Sequence, residues 1–241
     1  MIINMWSGPR NISTALMRSF ENRKGTEVWD EPFYAYYLHK TKRQHPMSQE
    51  IIDHYKTNLD DLMEEIQNKN NDNKIHYLKH MTHHLLPEIP LNWVLKCKNC
   101  ILLRRPDEVI SSYSKKNEII DIQDIGFREQ IKIYHYLIEN SVECPIILSD
   151  DILKNPPKTL SLLCSILGID YQQSMIKWPS GDRNSDGIWH IHWYESVKKS
   201  TGFNSYDPNK EITVPDSYKK VLKESMDIYN ELYKLRIKIE L

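Results

Sequence analysis

The stretch 1-MIINMWSGPRNISTALMRSFENRKG-25 decides the fold. Ile2 to Trp6 reads as a buried strand. The run breaks at Ser7-Gly8-Pro9, after which Ile12, Ala15, Leu16 and Phe20 recur at helical spacing, with Gly25 placed as a C-terminal cap. A strand that becomes a helix within a few residues opens a βα unit. The turn carries Arg10, Ser13 and Thr14. Free N–H groups at a helix N-terminus face whatever occupies the turn, and the helix dipole adds positive potential. Arg10 adds a guanidinium fork suited to phosphate or sulfonate oxygens, and the two hydroxyls add further donors. The turn favours an anion; the plainer alternative is a turn in which Ser13 and Thr14 only cap the helix. It is no Walker A loop, having neither the second glycine nor the lysine of G-x-x-x-x-G-K-[ST], which disfavours a nucleotide triphosphatase or an ordinary kinase.

Outward from this turn, short apolar runs alternate with helical patterns. Thr26 to Trp29, Lys74 to Lys79, Asn99 to Leu103 and Pro145 to Leu148 read as strands, the third being the best candidate for a central one. Residues 33–69 read as mostly helical with a break at His45-Pro46. Helices are expected from Pro106, over 125–140, from Pro156 to before Gly168 with Asn155 as cap, and over 215–236; residues 178–214 read as an aromatic loop. Strands alternating with helices imply an α/β fold, three layers with a parallel sheet between helices. Such folds bind ligands at the carboxyl ends of their strands.

The 241 residues suit a single domain over 1–241. With 32 basic against 33 acidic residues, the net charge of −1 argues against a protein that coats nucleic acid or an anionic membrane. No apolar run reaches transmembrane length and no signal-peptide pattern is read, so a cytoplasmic location is expected. Cys97 and Cys100 form a C-x-x-C without a second pair at zinc spacing, and read as small residues entering a buried strand.

Four segments resemble one family in its own order. The loop resembles the 5′-phosphosulfate loop of sulfotransferases, G-x-P-[KR]-S-G-[ST]-T, with Gly8, Pro9, Arg10, Ser13 and Thr14 matching and Asn11 and Ile12 departing from Ser-Gly. It is closer still to the W-S-x-P-R-N-x-S-T-A-L loop of a group of small sulfotransferase-like proteins. "ILLRRPDEVISSYSKK" (101–116) looks like the 3′-phosphate segment R-x-P-x-x-x-x-x-S, on Arg104 and Ser112. "LSDDILKNPPKTLSLLCSILGI" (148–169) resembles a structural segment of the family, and "HWYESVKKSTGF" (192–203) a W-Y-x-S-V-x-x-S-T-G-F stretch of the same group. The chain is accordingly identified as a member of the 3′-phosphoadenosine 5′-phosphosulfate (PAPS)-dependent sulfotransferase superfamily.

The resemblance implies a P-loop nucleotide-kinase-like sheet, PAPS as donor with PAP as product, no metal, and a small-molecule acceptor; a homodimer is left open. Donor-binding residues are then Pro9, Arg10, Asn11, Ile12, Ser13, Thr14, Arg104 and Ser112, with Lys199, Ser200, Thr201 and Gly202 from the C-terminal segment. Arg104 has an alternative use, a salt bridge to Asp107 or Glu108. Sulfonyl transfer needs charge neutralisation, a grip on the nucleotide and a base for the acceptor's proton. Glu31 in "VWDEPFYAYYL" follows the second strand and resembles a catalytic glutamate of several branches; Asp30 is its nearest rival. Lys79 ends the third strand where many sulfotransferases carry a lysine. His83, beside His80 and His84, is an alternative base. Trp178, Trp189, His190, His192, Trp193 and Tyr194 would stack on adenine or wall the acceptor site, or simply pack as a lid, and Phe33, Tyr34, Tyr36 and Tyr37 would line the acceptor side. Two other readings stay open: a member of the fold that binds nucleotide without catalysis, and another nucleotide-dependent transferase or kinase.

Overall fold

The computed structural model describes residues 1–119 and 121–239. Five strands, β1 (Ile2–Ser7), β2 (Thr26–Asp30), β3 (Ile75–Met81), β4 (Lys98–Leu103) and β5 (Ile146–Leu148), form one parallel sheet in the order β2-β3-β1-β4-β5. β1 therefore holds the centre, with β4 beside it rather than in the middle. All six residues of β1 are buried, the near-continuous apolar reading of a strand covered on both faces.

Alternate residues of each strand feed two cores. Ile2, Trp6, Leu78, Ile101 and Leu103 pack with α4 (Leu59–Lys69), α5 (Pro106–Tyr113), α6 (Phe127–Glu139) and α11 (Lys219–Lys234). Ile3, Met5, Tyr77, Cys100 and Leu102 pack with α1 (Ser13–Glu21), α3 (Ser48–His54), α7 (Ser149–Lys154) and α8 (Pro156–Leu167). α2 (Tyr34–Thr41) sends Tyr36 to the first core and Tyr34, Ala35 and Leu38 to the second. Cys97 and Cys100 fall in opposite cores as free thiols. Among the described residues no helix is long and apolar enough to cross a membrane.

Several boundaries differ from those the sequence implies. α1 stops at Glu21 and is capped by Asn22, whose N–H reaches back to the carbonyls of Arg18 and Phe20; Gly25, at φ +80°, instead turns the chain into β2. β3 runs on to Met81, which places His80 inside the sheet. The 33–69 region breaks a second time before Leu59, where the Asn58 side chain accepts from the Asp61 N–H at 3.1 Å and caps α4. The aromatic segment holds two short helices, α9 (His190–Trp193) and α10 (Glu195–Lys198). The last helix begins at Lys219, after a 3₁₀ turn.

The chain leaves β1 into α1 on one face and leaves β4 into α5 on the other. The crevice between these two departures is the switch point of the sheet, where α/β folds place their ligands.

Candidate active site

A cavity of about 480 Å³ opens at this crevice, within the range that holds small molecules. Its floor is the loop from Pro9 to Thr14. Gly8 begins that loop where no side chain fits, since a Cβ there would stand 2.4 Å from the Ile125 carbonyl oxygen. Asn11 explains its own departure from the family pattern: its Nδ2 donates to the Leu102 carbonyl at 3.0 Å, and its carbonyl accepts from Ser149 Oγ at 3.0 Å, tying the loop to β4 and α7. Ile12 adopts φ +57°, the left-handed conformation that a glycine would take freely, and packs its side chain against the second core. The backbone at this position is thus the one a glycine favours, although the residue is not a glycine. From Ser13 the first-turn amides of α1 lack intrahelical partners and open toward the cavity.

Two guanidiniums meet at one wall. Arg10 Nε donates to Ser112 Oγ at 2.9 Å, and among the described residues no carboxylate pairs with it. Partial burial and the neighbouring Arg104 charge both disfavour its cation, lowering its pKa. Arg104 forms the salt bridge expected as the alternative: Nη2 lies 2.8 Å from Glu108 Oε2 and Nε 3.2 Å from the same oxygen, while Nη1 donates to the Arg10 carbonyl. A cation held near a second cation without its own carboxylate suits an anion.

Another part of the lining carries Glu31 and Lys79. β2 ends at Asp30, and Glu31 continues the ladder with its N–H on the Lys79 carbonyl at 2.9 Å. Glu31 then turns at φ +45°, with Pro32 following, so its backbone is held in a conformation that is strained for a non-glycine residue. Its carboxylate lines the cavity, 2.5 Å from Lys79 Nζ. Burial pushes its pKa up to about 7; Lys79 opposes the rise and Asp30 adds to it. Lys79 also donates to Asp30 Oδ1 at 2.8 Å and to Tyr194 Oη at 2.7 Å. Burial alone would lower the lysine's pKa, but Asp30 and Glu31 outweigh it and hold the ammonium well above its usual value. Asp30 is committed elsewhere: it does not line the cavity, and its Oδ2 accepts from Tyr194 Oη at 2.6 Å and from the Gly187 N–H at 3.2 Å. Gly187 is required there, because a Cβ would lie 2.1 Å from the Trp189 ring.

The three histidines separate. His80 points away from the cavity, stacks on Trp6 with ring centroids 4.1 Å apart, and bonds Asn4 Oδ1 at 3.0 Å. His83 and His84 line the cavity. Burial, reinforced by neighbouring positive groups, pushes His83 down to about 3. His84 is held well below its usual range by the same causes and stacks on Tyr34 at 4.6 Å. Both rings are therefore neutral at pH 7.

The remaining expected residues divide. Ser200 and Gly202 line the cavity; Lys199 and Thr201 do not, and Lys199 pairs with Glu195 at 3.0 Å on the surface. Trp193 and Tyr194 reach the cavity. Trp178 packs on Phe203 and donates to Ser200 Oγ at 3.2 Å, and Trp189 sets its edge on Tyr34, so both hold the segment against the body. His190 and His192 stay outside the cavity. His190 approaches Asp182 and Asp186 closely enough for a shared ion, but Lys198 and Arg18 already neutralise those acids. Of the 33–37 aromatics only Tyr34 lines the cavity; Phe33 and Tyr36 turn to the first core. His45, Tyr113, Asp150 and the run Phe203–Pro208 are wall residues that sequence reasoning misses. The strand-end rule offers a signal for Asp150, just beyond β5, and none for the run.

The family model described as a sulfotransferase domain matches residues 1–236. A protein of Arabidopsis thaliana named branched-chain-amino-acid aminotransferase-like protein 1 is 34% identical over 232 residues, and a second of that name, protein 2, is 33% identical. The match covers 96% of this chain but 41% of each of those relatives, so the chain spans under half their length. Among solved structures, the sulfotransferase domain of the Synechococcus PCC 7002 olefin synthase is similar at a TM-score of 0.59 and 17% identity, over 96% of this chain and 94% of that one. Mouse sulfotransferase SULT7A1 complexed with PAP is similar at 0.51 and 14%, over 97% and 88%. These likenesses are of fold.

Proposed function

The chain belongs to the sulfotransferase family, and on that premise we propose that residues 1–241, acting as one domain in the cytoplasm, transfer a sulfonyl group from PAPS to a hydroxyl or amine of a small molecule. The observation that carries this reading is that Glu31 and Lys79 stand together in the cavity onto which the 9–14 loop opens. In this reading the α1 amides, Ser13 and Thr14 hold the sulfonate and 5′-phosphate, while Arg10, Arg104 and Ser112 hold the 3′-phosphate. Ser200 and Gly202 close over the nucleotide. Tyr34, His83 and Trp193 wall the acceptor, with neutral rings that suit a small uncharged molecule.

Glu31 is the base. A carboxylate with a pKa of about 7 is matched to taking a proton near neutral pH. A histidine held near 3 is a poor acceptor, which disfavours His83, and both oxygens of Asp30 are engaged. The acceptor's proton passes to Glu31, its oxygen or nitrogen bonds to sulfur, and the bond from sulfur to the phosphate oxygen breaks. Lys79, bonded to Glu31 in the cavity, is the cation we assign to the charge that develops there.

The test is calorimetric titration with PAP beside AMP and ATP. Binding of PAP at micromolar affinity or better, with AMP much weaker, is the expected result. Equal binding of the three nucleotides would remove PAPS as donor. Tight PAP binding with no sulfated product from labelled PAPS across an acceptor panel would favour nucleotide binding without catalysis.

A further inference from the structure

His45 belongs to the cavity lining, on the turn between α2 and α3. Its backbone is clamped: the N–H donates to Ser48 Oγ at 2.7 Å, and that hydroxyl donates to the His45 carbonyl at 2.7 Å. Its ring is fixed as well, with Nδ1 2.8 Å from Tyr34 Oη. A third residue decides which of the two donates. Trp193, at the end of α9, bonds to the Tyr34 hydroxyl, and an indole N–H can only donate. The Tyr34 oxygen therefore accepts from Trp193. Among the described residues no other acceptor bonds this hydroxyl, so its O–H goes to His45 Nδ1. Burial and the Arg43 charge lower the pKa of His45, against a smaller opposing effect of Asp124, so the ring is neutral at pH 7. A neutral imidazole has one N–H, and with Nδ1 accepting, that proton sits on Nε2. Among the described residues Nε2 has no hydrogen-bond partner, and the ring is only half-buried.

We propose, resting on the sulfonyl-transfer reading, that His45 is a specificity-determining residue: a fixed Nε2–H donor, oriented by Trp193 and Tyr34, that selects acceptors carrying a carbonyl oxygen away from the reacting group. The surrounding wall offers mainly ring faces, Tyr34 stacked on His84 at 4.6 Å and Tyr37 edge-on to His83 at 5.7 Å. A single donor on such a wall discriminates by what it leaves unpaired. A carbonyl oxygen answers it completely. An alkyl group in its place leaves the N–H without a partner, at the cost of a desolvated donor. An ammonium has no lone pair to offer, and the Arg43 charge repels it. Tyr34 and Trp193 are positioning residues here: they hold the proton on the nitrogen that faces away from them.

The experiment has two readouts on the full chain. Histidine ring ¹⁵N NMR at about pH 8, where an unperturbed imidazole is neutral, reports the tautomer; His45 is expected as the Nε2–H form, and Tyr34→Phe is expected to bring in the Nδ1–H form. Calorimetry of the PAP-loaded protein then uses primary alcohols of graded chain length, each ending in a methyl ketone or in the matching branched alkyl group. At the length that spans to His45 the ketone should bind about tenfold tighter, the equivalent of one hydrogen bond. His45→Phe should abolish that difference and Tyr34→Phe should reduce it. An Nδ1–H tautomer in wild type overturns the proposal. So does the lack of a ketone advantage at every length, undetectable binding included, or an advantage that survives in folded His45→Phe. Failure of wild type to bind PAP fails the donor reading instead, and the same series on the unloaded protein still decides the role of His45. Should a variant not fold, the wild-type tautomer and the wild-type series are sufficient.

Discussion

The guanidinium of Arg104 holds the backbone of Arg10: its Nη1 donates to the Arg10 carbonyl at 2.5 Å while Nε and Nη2 close on Glu108. Arg10 itself sits at φ +63°, a conformation that costs a non-glycine residue of order 1 kcal/mol and needs support from its surroundings. The two arginines therefore differ in role. Arg104 braces the loop, and Arg10 carries the charge without a carboxylate partner.

The PAP affinity of three variants tests this division. Arg10→Ala is expected to weaken PAP by about ten- to a hundredfold, roughly 1.4–2.8 kcal/mol. Arg104→Lys is expected to cost about tenfold, because a point charge cannot span Glu108 and the Arg10 carbonyl as a planar fork does. Glu108→Gln removes a carboxylate from the cavity wall and releases part of the Arg104 fork, so PAP should bind a few-fold tighter by calorimetry.

As the proposed base, Glu31 should set the acid side of the pH profile. Its pKa in the folded protein is about 7, and the base must be ionised, so kcat/KM should rise with pH through about 7 and level off above. Stability runs the other way. The folded value lies above the unfolded one, so this group's contribution is complete below about 4.5 and is lost as pH rises through about 7. Glu31→Gln should remove both the kinetic limb and that component of the stability curve, read by pH-dependent kinetics and by denaturant unfolding.

His80 gives the opposite slope. Burial pushes its pKa down to about 3 from 6.5. Its contribution is complete above 6.5 and is lost as pH falls toward 3, on the order of several kcal/mol in full. Urea unfolding between pH 7 and pH 4 should show this loss, and His80→Gln should flatten the slope by close to one proton.

Gly8→Ala places a methyl group 2.4 Å from the Ile125 carbonyl oxygen. The oxygen is backbone and the methyl is fixed directly to the residue 8 backbone, so neither yields without moving the loop. The substitution should destabilise by about 2–4 kcal/mol, in the range of severe overpacking. The readout is the shift in thermal unfolding, with PAP affinity falling alongside it.

Much of this site is legible in the amino-acid sequence. The strand-turn-helix opening places Arg10, Ser13 and Thr14, and the strand-end rule places Glu31, Lys79 and Arg104 on one side of the sheet. His80 is legible too once β3 is carried to Met81: successive strand residues face opposite ways, so Lys79 and His80 cannot share a site. Other features have no local signal. Nothing near Tyr194 announces that its hydroxyl bonds Asp30, 164 residues earlier. The left-handed Ile12 defeats propensity, because the loop's ties to Leu102 and Ser149 outweigh a β-branched residue's backbone preference. The difference between Trp178, which packs, and Trp193, which lines the cavity, is one of tertiary placement on a segment whose composition is aromatic throughout.

The distance along the chain between Tyr194 and the lysine it steadies has a consequence for biogenesis. All five strands have been synthesised once Leu148 is made, and the 9–14 loop, Glu31 and Lys79 are present by then. A nascent chain at that stage carries all five strands and the side chains of Glu31 and Lys79, yet the lysine still lacks its Tyr194 partner. Only when the 187–194 segment emerges and docks does that partner arrive. Emergence of this segment and completion of the lysine's hydrogen bonds are thus the same event.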